Sequence, residues 1–473
     1  MALTLKALIA ILAGLISSAA FYPIHFWPAL FVGLSILYYL NSSSRGDTFR
    51  IRFTLNFLFG IGFQILTLNW IGTYVGSYAW LALVLMQAAF FLPLSFSKGP
   101  HSFAAAWVAF EFILRSIPFG GFGWSRIGFA LTESPFNYLL PRVSIVGLAF
   151  VITLSIGLVI EEKTKGLIRA IAIYLLVAVI PVPVVSSGTL DVGLVQGGQE
   201  LKLDNTFENA ESAISKHFLA TTKINQGMVD LVIWPENAVM HDPFLRKRTR
   251  ESFESEISRI KAPILVNANL SDGTNGSVLL GDDENQRYSK RYLTPFGEFI
   301  PFRSIVEKIS DKADLVTGYI PGKNPYLFKT DSGTFRTLIC YELLSDKQAR
   351  YEMGDSEFIV VQTNNATYYK TWQLDQELAI AQARSAETSR QSVYVSTTGG
   401  TSLINERGKI EKSLPKYENG ALVGEIQKRL GSTYAVKFGS LLEIGILLLW
   451  VGAFITPLNK YIGRKKREKI DSE

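Results

Sequence analysis

The chain has 473 residues, of which 48% are hydrophobic and only 19% charged, and its mean hydropathy is +0.21. That balance excludes an ordinary mixed globular enzyme with all its elements in water and points to a membrane protein. A formal net charge of +6 and a pI near 9.1 do not make it a nucleic-acid binder, because the basic residues cluster beside apolar runs and no base-reading module accompanies them.

Taken in chain order, the apolar runs predict about eight transmembrane helices, at roughly 3–22, 24–40, 53–75, 78–96, 102–114, 143–160, 167–185 and 438–458. Between 53 and 96 there is no Asp, Glu, Lys or Arg, enough chain for two crossings of a hydrocarbon core of about 30 Å. Lys6 ahead of a run that ends in small residues at 17–20 also fits a secretory signal, but further spans follow at once, which favours an uncleaved first helix. Arg45, Arg50, Arg52, Lys98, Lys163, Lys165, Arg169 and the tail residues Arg464, Lys465, Lys466, Arg467 and Lys469 fall on one side if the span count is even. The excess of basic residues makes that side the cytoplasm, with both termini inside and the segment 186–437 outside. The basic tail also suits contact with anionic lipid. The expected division is therefore a seven-helix bundle at 1–185, an outer domain at 186–437, and a last helix with a basic tail at 438–473. Within the bundle, Glu111 and Arg115 stand four apart and are expected to pair across one helical turn. The Gly-rich aromatic segment 118–129 suits an interfacial loop, with Trp124 and Arg126 at lipid headgroups or as interfacial anchors.

The outer segment has a different pattern. Short β-rich runs (DVGLVQGG, DLVIWPE, APILVNANL, RTLICYE, EFIVVQTNN) alternate with helical stretches at 205–222 and 374–390, which predicts a layered α/β domain. Three of its motifs carry chemistry. LVIWPENAV places Glu236 just past an apolar strand, YSKRYLTPFGEFIPF carries Lys290 and, eight residues on, Glu298, and LICYELL ends a strand at Cys340, the single cysteine of the chain. A carboxylate, an amine and a thiol follow one another about 50 residues apart. The thiolate is the reactive form of cysteine, so it needs a proton acceptor nearby, and a cation stabilises the oxyanion formed when it attacks a carbonyl. Each residue alone has a plainer reading: a solvated or capping Glu236, a solvated Lys290 beside Arg287 and Arg291, a turn-capping Glu298, a buried core Cys340. The joint order and spacing favour the chemical one.

The WPE, the Lys followed by PFGE, and the CYE resemble the motifs of the nitrilase superfamily. Set between two membrane regions, they resemble the apolipoprotein N-acyltransferase family over nearly the whole chain. The resemblance implies a four-layer αββα sandwich for the outer domain, with Glu236 as base, Cys340 as nucleophile, and Lys290 with the N–H after the cysteine as oxyanion donors. It also implies Glu298 as a second carboxylate that orients the lysine or the base, and Tyr341 and Glu342 as residues near the nucleophile. The implied partners are a phospholipid acyl donor, a diacylglyceryl apolipoprotein acceptor and membrane lipid. The protein is expected to be a monomer in a bacterial inner membrane, with no cofactor. His25, His101, His217 and His241 are scattered without metal-ligand spacing, so no metal is expected. The chain departs from the family pattern at Lys202, Leu203, Asp204, where K-W-D is usual, and at Asn364 to Tyr368, where N-D-A-W-F is usual. Two rival readings remain open: a membrane-anchored amidase passing the acyl group to water, and a transporter or scaffold with an inactive domain. The intact triad and the lack of paired broken helices speak against the second.

Overall fold

The structure, a computed structural model, describes residues 2–44, 46–198, 206–282, 284, 286–307, 316, 318–350 and 353–470. Arg45 and the Lys202, Leu203, Asp204 run lie outside the described residues. The chain forms two compact units, Met1–Pro181 with Lys437–Glu473, and Val182–Val436.

The first unit is helical. Its elements are α1 (Leu3–Ser18), α2 (Pro28–Ser43), α3 (Phe49–Thr67), α4 (Asn69–Tyr74), α5 (Ser77–Ala89), α6 (Pro100–Leu114), α7 (Ile127–Ala130), α8 (Leu140–Glu162), α9 (Thr164–Ala178) and a terminal helix, Tyr434–Ile470. Helix sits on each apolar run, but the ends differ from those expected. The 53–75 run breaks at Leu68, and the 78–96 run passes from α5 into a tighter turn at Leu92–Phe96, where Pro93 has no N–H to continue an α-helix. Three stretches are long and apolar enough to cross a membrane, Ser77–Phe96, Pro135–Glu162 and Tyr434–Gly452, while α1 and α6 are apolar but shorter. Small residues let the helices close up. A Cβ on Gly14 would meet the Phe59 carbonyl oxygen at 2.2 Å, and one on Gly62 the Ile11 oxygen at 2.3 Å, so α1 and α3 touch backbone to backbone. Asn41 and Asn56 exchange side-chain amide bonds of 2.9 and 3.0 Å between α2 and α3.

The charged pair of α6 is arranged differently from expectation. Glu111 accepts from Arg126 Nε (3.2 Å) and Ile127 N (3.1 Å) beyond its helix and from Trp107 Nε1 (3.1 Å) one turn back on α6, while Arg115 pairs with Glu443 of the terminal helix. Trp124 and Arg126 are correspondingly buried, at 5% and 0% exposure, rather than presented to headgroups. Trp124 stacks on Phe122 and packs against Trp70. A guanidinium in an apolar surround needs an anion, and Glu111 supplies it from 15 residues earlier in the chain.

The second unit is built on two six-stranded sheets. The first has the order β12-β1-β2-β3-β4-β5 and the second β11-β10-β9-β8-β7-β6, with β1 (Val184–Gln196), β2 (Leu231–Ile233), β3 (Ile264–Asn269), β4 (Asn275–Leu280), β5 (Arg287–Ser289), β6 (Phe328–Thr330), β7 (Gly333–Ile339), β8 (Phe358–Thr363), β9 (Ser392–Ser396), β10 (Ser402–Ile404), β11 (Ile410–Ser413) and β12 (Gly420–Gly431). Each sheet has a parallel trio at its centre, β1-β2-β3 and β7-β8-β9, and antiparallel flanks. Side-chain alternation sorts the faces. Leu190, Val192, Leu194, Ile233 and Leu265 of one sheet meet Phe335, Ile339, Phe358, Val360 and Val393 of the other in a shared core. Trp234, Ile264 and Val266 point the other way, against Ile214 of α10 (Thr206–Thr221) and Phe253 and Ile260 of α11 (Lys247–Ile260). Two short helices follow, α12 (Arg303–Val306) and α13 (Asp346–Arg350). The outer side of the second sheet is covered by α14 (Gln373–Thr388), every residue of which is buried except the half-buried Asp375. Helix, sheet, sheet, helix is the layering of this unit.

Candidate active site

The ends of the parallel strands converge on one polar cluster. Pro235 cannot donate to a ladder, so β2 stops and the chain turns off the sheet at Glu236. Asn237, left-handed at φ 53°, anchors that turn by donating its N–H to Asn267 Oδ1 at 2.8 Å. Glu236 Oε1 accepts from Lys290 Nζ (2.9 Å) and Asn275 Nδ2 (3.0 Å), and Oε2 from the backbone N–H of Asn364 (3.0 Å), the first residue past β8. Lys290 follows β5; its own N–H donates to the Asn275 carbonyl at 2.8 Å, and its carbonyl accepts from Gly322 N at 2.8 Å. Glu298 meets the lysine ammonium at 2.8 Å and accepts from Asn275 Nδ2 (3.0 Å) and Thr294 N (2.8 Å). Asn275 therefore holds both carboxylates with its side chain and the lysine with its backbone. Glu236 and Lys290 are 4% and 1% exposed, so these contacts are screened little by water.

Two carboxylates share one ammonium, and their proton affinities are pushed apart. Burial raises the Glu236 pKa, and the attraction of Lys290 does not cancel it because the Glu298 charge adds to the rise. Burial acts on Glu298 in the same direction, but the charge and hydrogen bond of Lys290, with the Thr294 N–H, outweigh it and hold this carboxyl below the usual range. Burial alone would lower Lys290; the two carboxylates instead lift it well above an ordinary lysine, so it stays a cation. A poised carboxylate beside a permanently charged one is the pattern of a general base with an electrostatic partner.

Cys340 stands where β7 ends. It is left-handed, φ 48°, at the start of the tight turn Cys340–Leu344, an uncommon conformation for a non-glycine residue. The side chain is half-buried. Burial, then the charges of Glu236 and Glu377, push its thiol well above the usual value against the pull of Lys290. At rest the group is a neutral thiol that needs a base. Tyr341 is half-buried beside it, its hydroxyl pushed upward by burial. Glu342 turns away from the thiol and acts as a tie: it accepts from Ile339 N (3.0 Å), Tyr288 OH (2.6 Å) and Arg291 N (2.8 Å), fastening the cysteine turn to the strand end that carries Lys290.

Comparison with known proteins bears on both units. A family model described as apolipoprotein N-acyltransferase N-terminal domain matches residues 13–158, and the carbon-nitrogen hydrolase model matches residues 191–435, just over half of the chain. The chain belongs to the apolipoprotein N-acyltransferase family, within the carbon-nitrogen hydrolases. An apolipoprotein N-acyltransferase of Coxiella burnetii is 27% identical over 94% of this chain and 99% of its own, and one of Haemophilus influenzae is 26% identical over 97% and 95%. A CN-hydrolase superfamily protein of Xanthomonas campestris superposes with a TM-score of 0.39 at 16% identity, covering 55% of this chain and 96% of that one. The family and the three long apolar helices make the protein a bacterial membrane protein.

The cluster holds several residues that no motif in the sequence marks. Asn275 was visible only as one of several Asn residues in the NANL and NGSV strands, and its contacts to two carboxylates depend on the register of β3 and β4, where Asn269 faces Asn275. The Asn364 N–H belongs to a segment noted for its departure from the family pattern, not for the Glu236 carboxylate it caps. Glu377 lies inside a helix with no motif around it, and no local signal marks it.

Proposed function

We propose that the protein transfers a fatty-acyl chain from a phospholipid, through a thioester on Cys340, to the α-amine of diacylglyceryl-cysteine on apolipoproteins. The observation that carries this reading is the buried Glu236–Lys290–Glu298 cluster, which shares its electrostatics with Cys340 in a chain whose other unit matches the N-terminal domain of this family of acyltransferases. In the first half-reaction Glu236 takes the thiol proton and the thiolate sulfur attacks a phospholipid ester carbonyl. Lys290 Nζ and the Tyr341 N–H receive the oxyanion. The ester C–O bond then breaks, the leaving alkoxide takes the proton back from Glu236, and a lysophospholipid departs. In the second half the neutral acceptor amine attacks the thioester carbonyl and gives its proton to Glu236. The C–S bond breaks, and the proton returns to the sulfur as the amide is released. Glu298 keeps the lysine oriented and charged. The protein works as a monomer and needs no cofactor.

The same reading makes the first unit a multi-pass bundle of about eight transmembrane helices, with both termini cytoplasmic and the catalytic unit on the extracytoplasmic face, because basic residues gather in alternate loops. A cysteine at the exposed Arg407 should react with a membrane-impermeant reagent in spheroplasts, and one at Lys98 should not; the reverse accessibility would refute the orientation. Purified protein given labelled phospholipid and a diacylated lipopeptide should yield triacylated peptide. Free fatty acid instead would mark a hydrolase, and neither product an inactive scaffold.

A further inference from the structure

Behind the turn that holds Glu236 lies a second buried carboxylate with no part in the mechanism above. Glu377 of α14 is 1% exposed. Thr363 Oγ1 lies 2.9 Å from both of its oxygens, and Oε2 also accepts from Gln373 Nε2 (3.2 Å), Tyr394 OH (3.2 Å) and Asn365 Nδ2. Thr363 and Asn365 are the two neighbours of Asn364, whose N–H caps Glu236 Oε2. One carboxylate thus grips the chain on both sides of the backbone amide that donates to Glu236. The turn is braced from the other side by Thr397, whose Oγ1 accepts from Asn365 N (3.1 Å) and donates to Asn364 Oδ1 (3.0 Å). Alternation along β8 accounts for the layout: Gln362 points between the sheets to Ser277 and the Trp234 carbonyl, and Thr363 points outward to α14.

We propose that Glu377 is a positioning residue for the general base, clamping the turn at 363–365 so that the Asn364 N–H stays on Glu236. This rests on Glu236 being the base. A carboxylate suits the task because four side-chain donors converge on it and it offers acceptor capacity on both oxygens. An apolar replacement would leave buried donors unpaired, and the turn would shift to find them partners.

The test is the rate at which Cys340 of the full-length protein, stripped by hydroxylamine, reloads from phospholipid, read as acyl-thioester mass across pH. Glu377→Leu should slow loading about 10–100-fold, the range seen when partners behind metal ligands are removed. Glu377→Gln, which keeps an oxygen for Asn365 and Tyr394 and an amide that donates to Thr363, should recover most of that loss. Thr363→Val removes one grip while the Glu377 charge stays. It should also slow loading, Thr363→Ser should restore it, and its effect should largely vanish in the Glu377→Leu background. The acid limb supplies a sign. Among the described residues the charged and titratable groups coupled to Glu236 include Lys290, Glu298, Cys340 and Tyr319, with Glu377 acting on Cys340 from behind the turn. Losing the Asn364 N–H destabilises the Glu236 anion and moves the limb upward, whereas losing only the Glu377 charge moves it downward. Parental loading in Thr363→Val, or a downward limb in Glu377→Leu, overturns the clamp; if Glu377→Leu does not fold, Thr363→Val decides alone. Normal loading by Glu236→Gln would instead overturn the assignment of the base, a distinct result.

Discussion

Each unit buries an ion pair, and the two pairs are composed differently. In the helical unit Glu111 meets Arg126 with one acid to one base, and the remaining acceptor capacity of the carboxylate is filled by Trp107 and the Ile127 N–H. In the catalytic unit Glu236 and Glu298 share Lys290, two acids to one base, with Cys340 close enough for its thiol to feel all three. A matched pair has no reason to exchange protons and serves to hold a loop. In the unmatched cluster the second carboxylate adds its charge to the burial that raises the Glu236 pKa, which suits Glu236 to the base role proposed for it. Both sites are buried; the stoichiometry of charge is what distinguishes them.

Removing the nucleophile should have the largest effect. Cys340→Ala is expected to abolish both acyl-enzyme formation and transfer while the protein stays folded and inserted, checked by thioester mass and by detergent size-exclusion. Substantial turnover in this variant would sink the thioester route. Next comes Lys290→Ala. It should cut loading about 10²–10³-fold through the lost oxyanion donor and cost about 3–5 kcal/mol of stability, because two buried carboxylates are left without their cation. Equal stability to the parent would mean the two acids do not repel as described.

Asn275→Leu probes the balance between the carboxylates. The amide donates to both, and on Glu236 it favours the anion. The base works only when ionised, and its pKa already lies above the ordinary value of about 4.3. Losing the donor should raise it further, so the acid limb of loading moves to higher pH and the rate below that limb falls by about an order of magnitude. A limb that stays put or moves down would show that Asn275 does not tune the base. The smallest effect on turnover should come from the helical unit. Glu111→Gln leaves the Arg126 charge without its anion and should cost about 3 kcal/mol, seen as a lower unfolding midpoint in detergent, while acyl transfer below that midpoint stays close to parental. A specific loss of transfer at unchanged stability would erase the distinction between the two ion pairs.

The linear chain alone determined what depends on composition and local pattern. Apolar runs marked where helices would form, because enough consecutive apolar side chains have few other fates, and alternating β-rich and helical segments marked the layered unit. WPE, the Lys with its following PFGE, and CYE marked Glu236, Lys290, Glu298 and Cys340 as candidates for the chemistry, since a thiol, a base and a cation are needed in one chain whatever its fold. Only the tertiary structure decided who holds whom. Asn275 reaches two carboxylates because β4 runs antiparallel to β3 in one register. Glu342 ties the Cys340 turn to the Lys290 strand end because the two sheets pack face to face. Glu111 passes over its helical neighbour Arg115 because Arg126 is brought into the same apolar interior, while Arg115 pairs with Glu443 of the terminal helix. These partners are distant in sequence, and a buried polar group takes the partner that folding brings to it, not the one nearest along the chain.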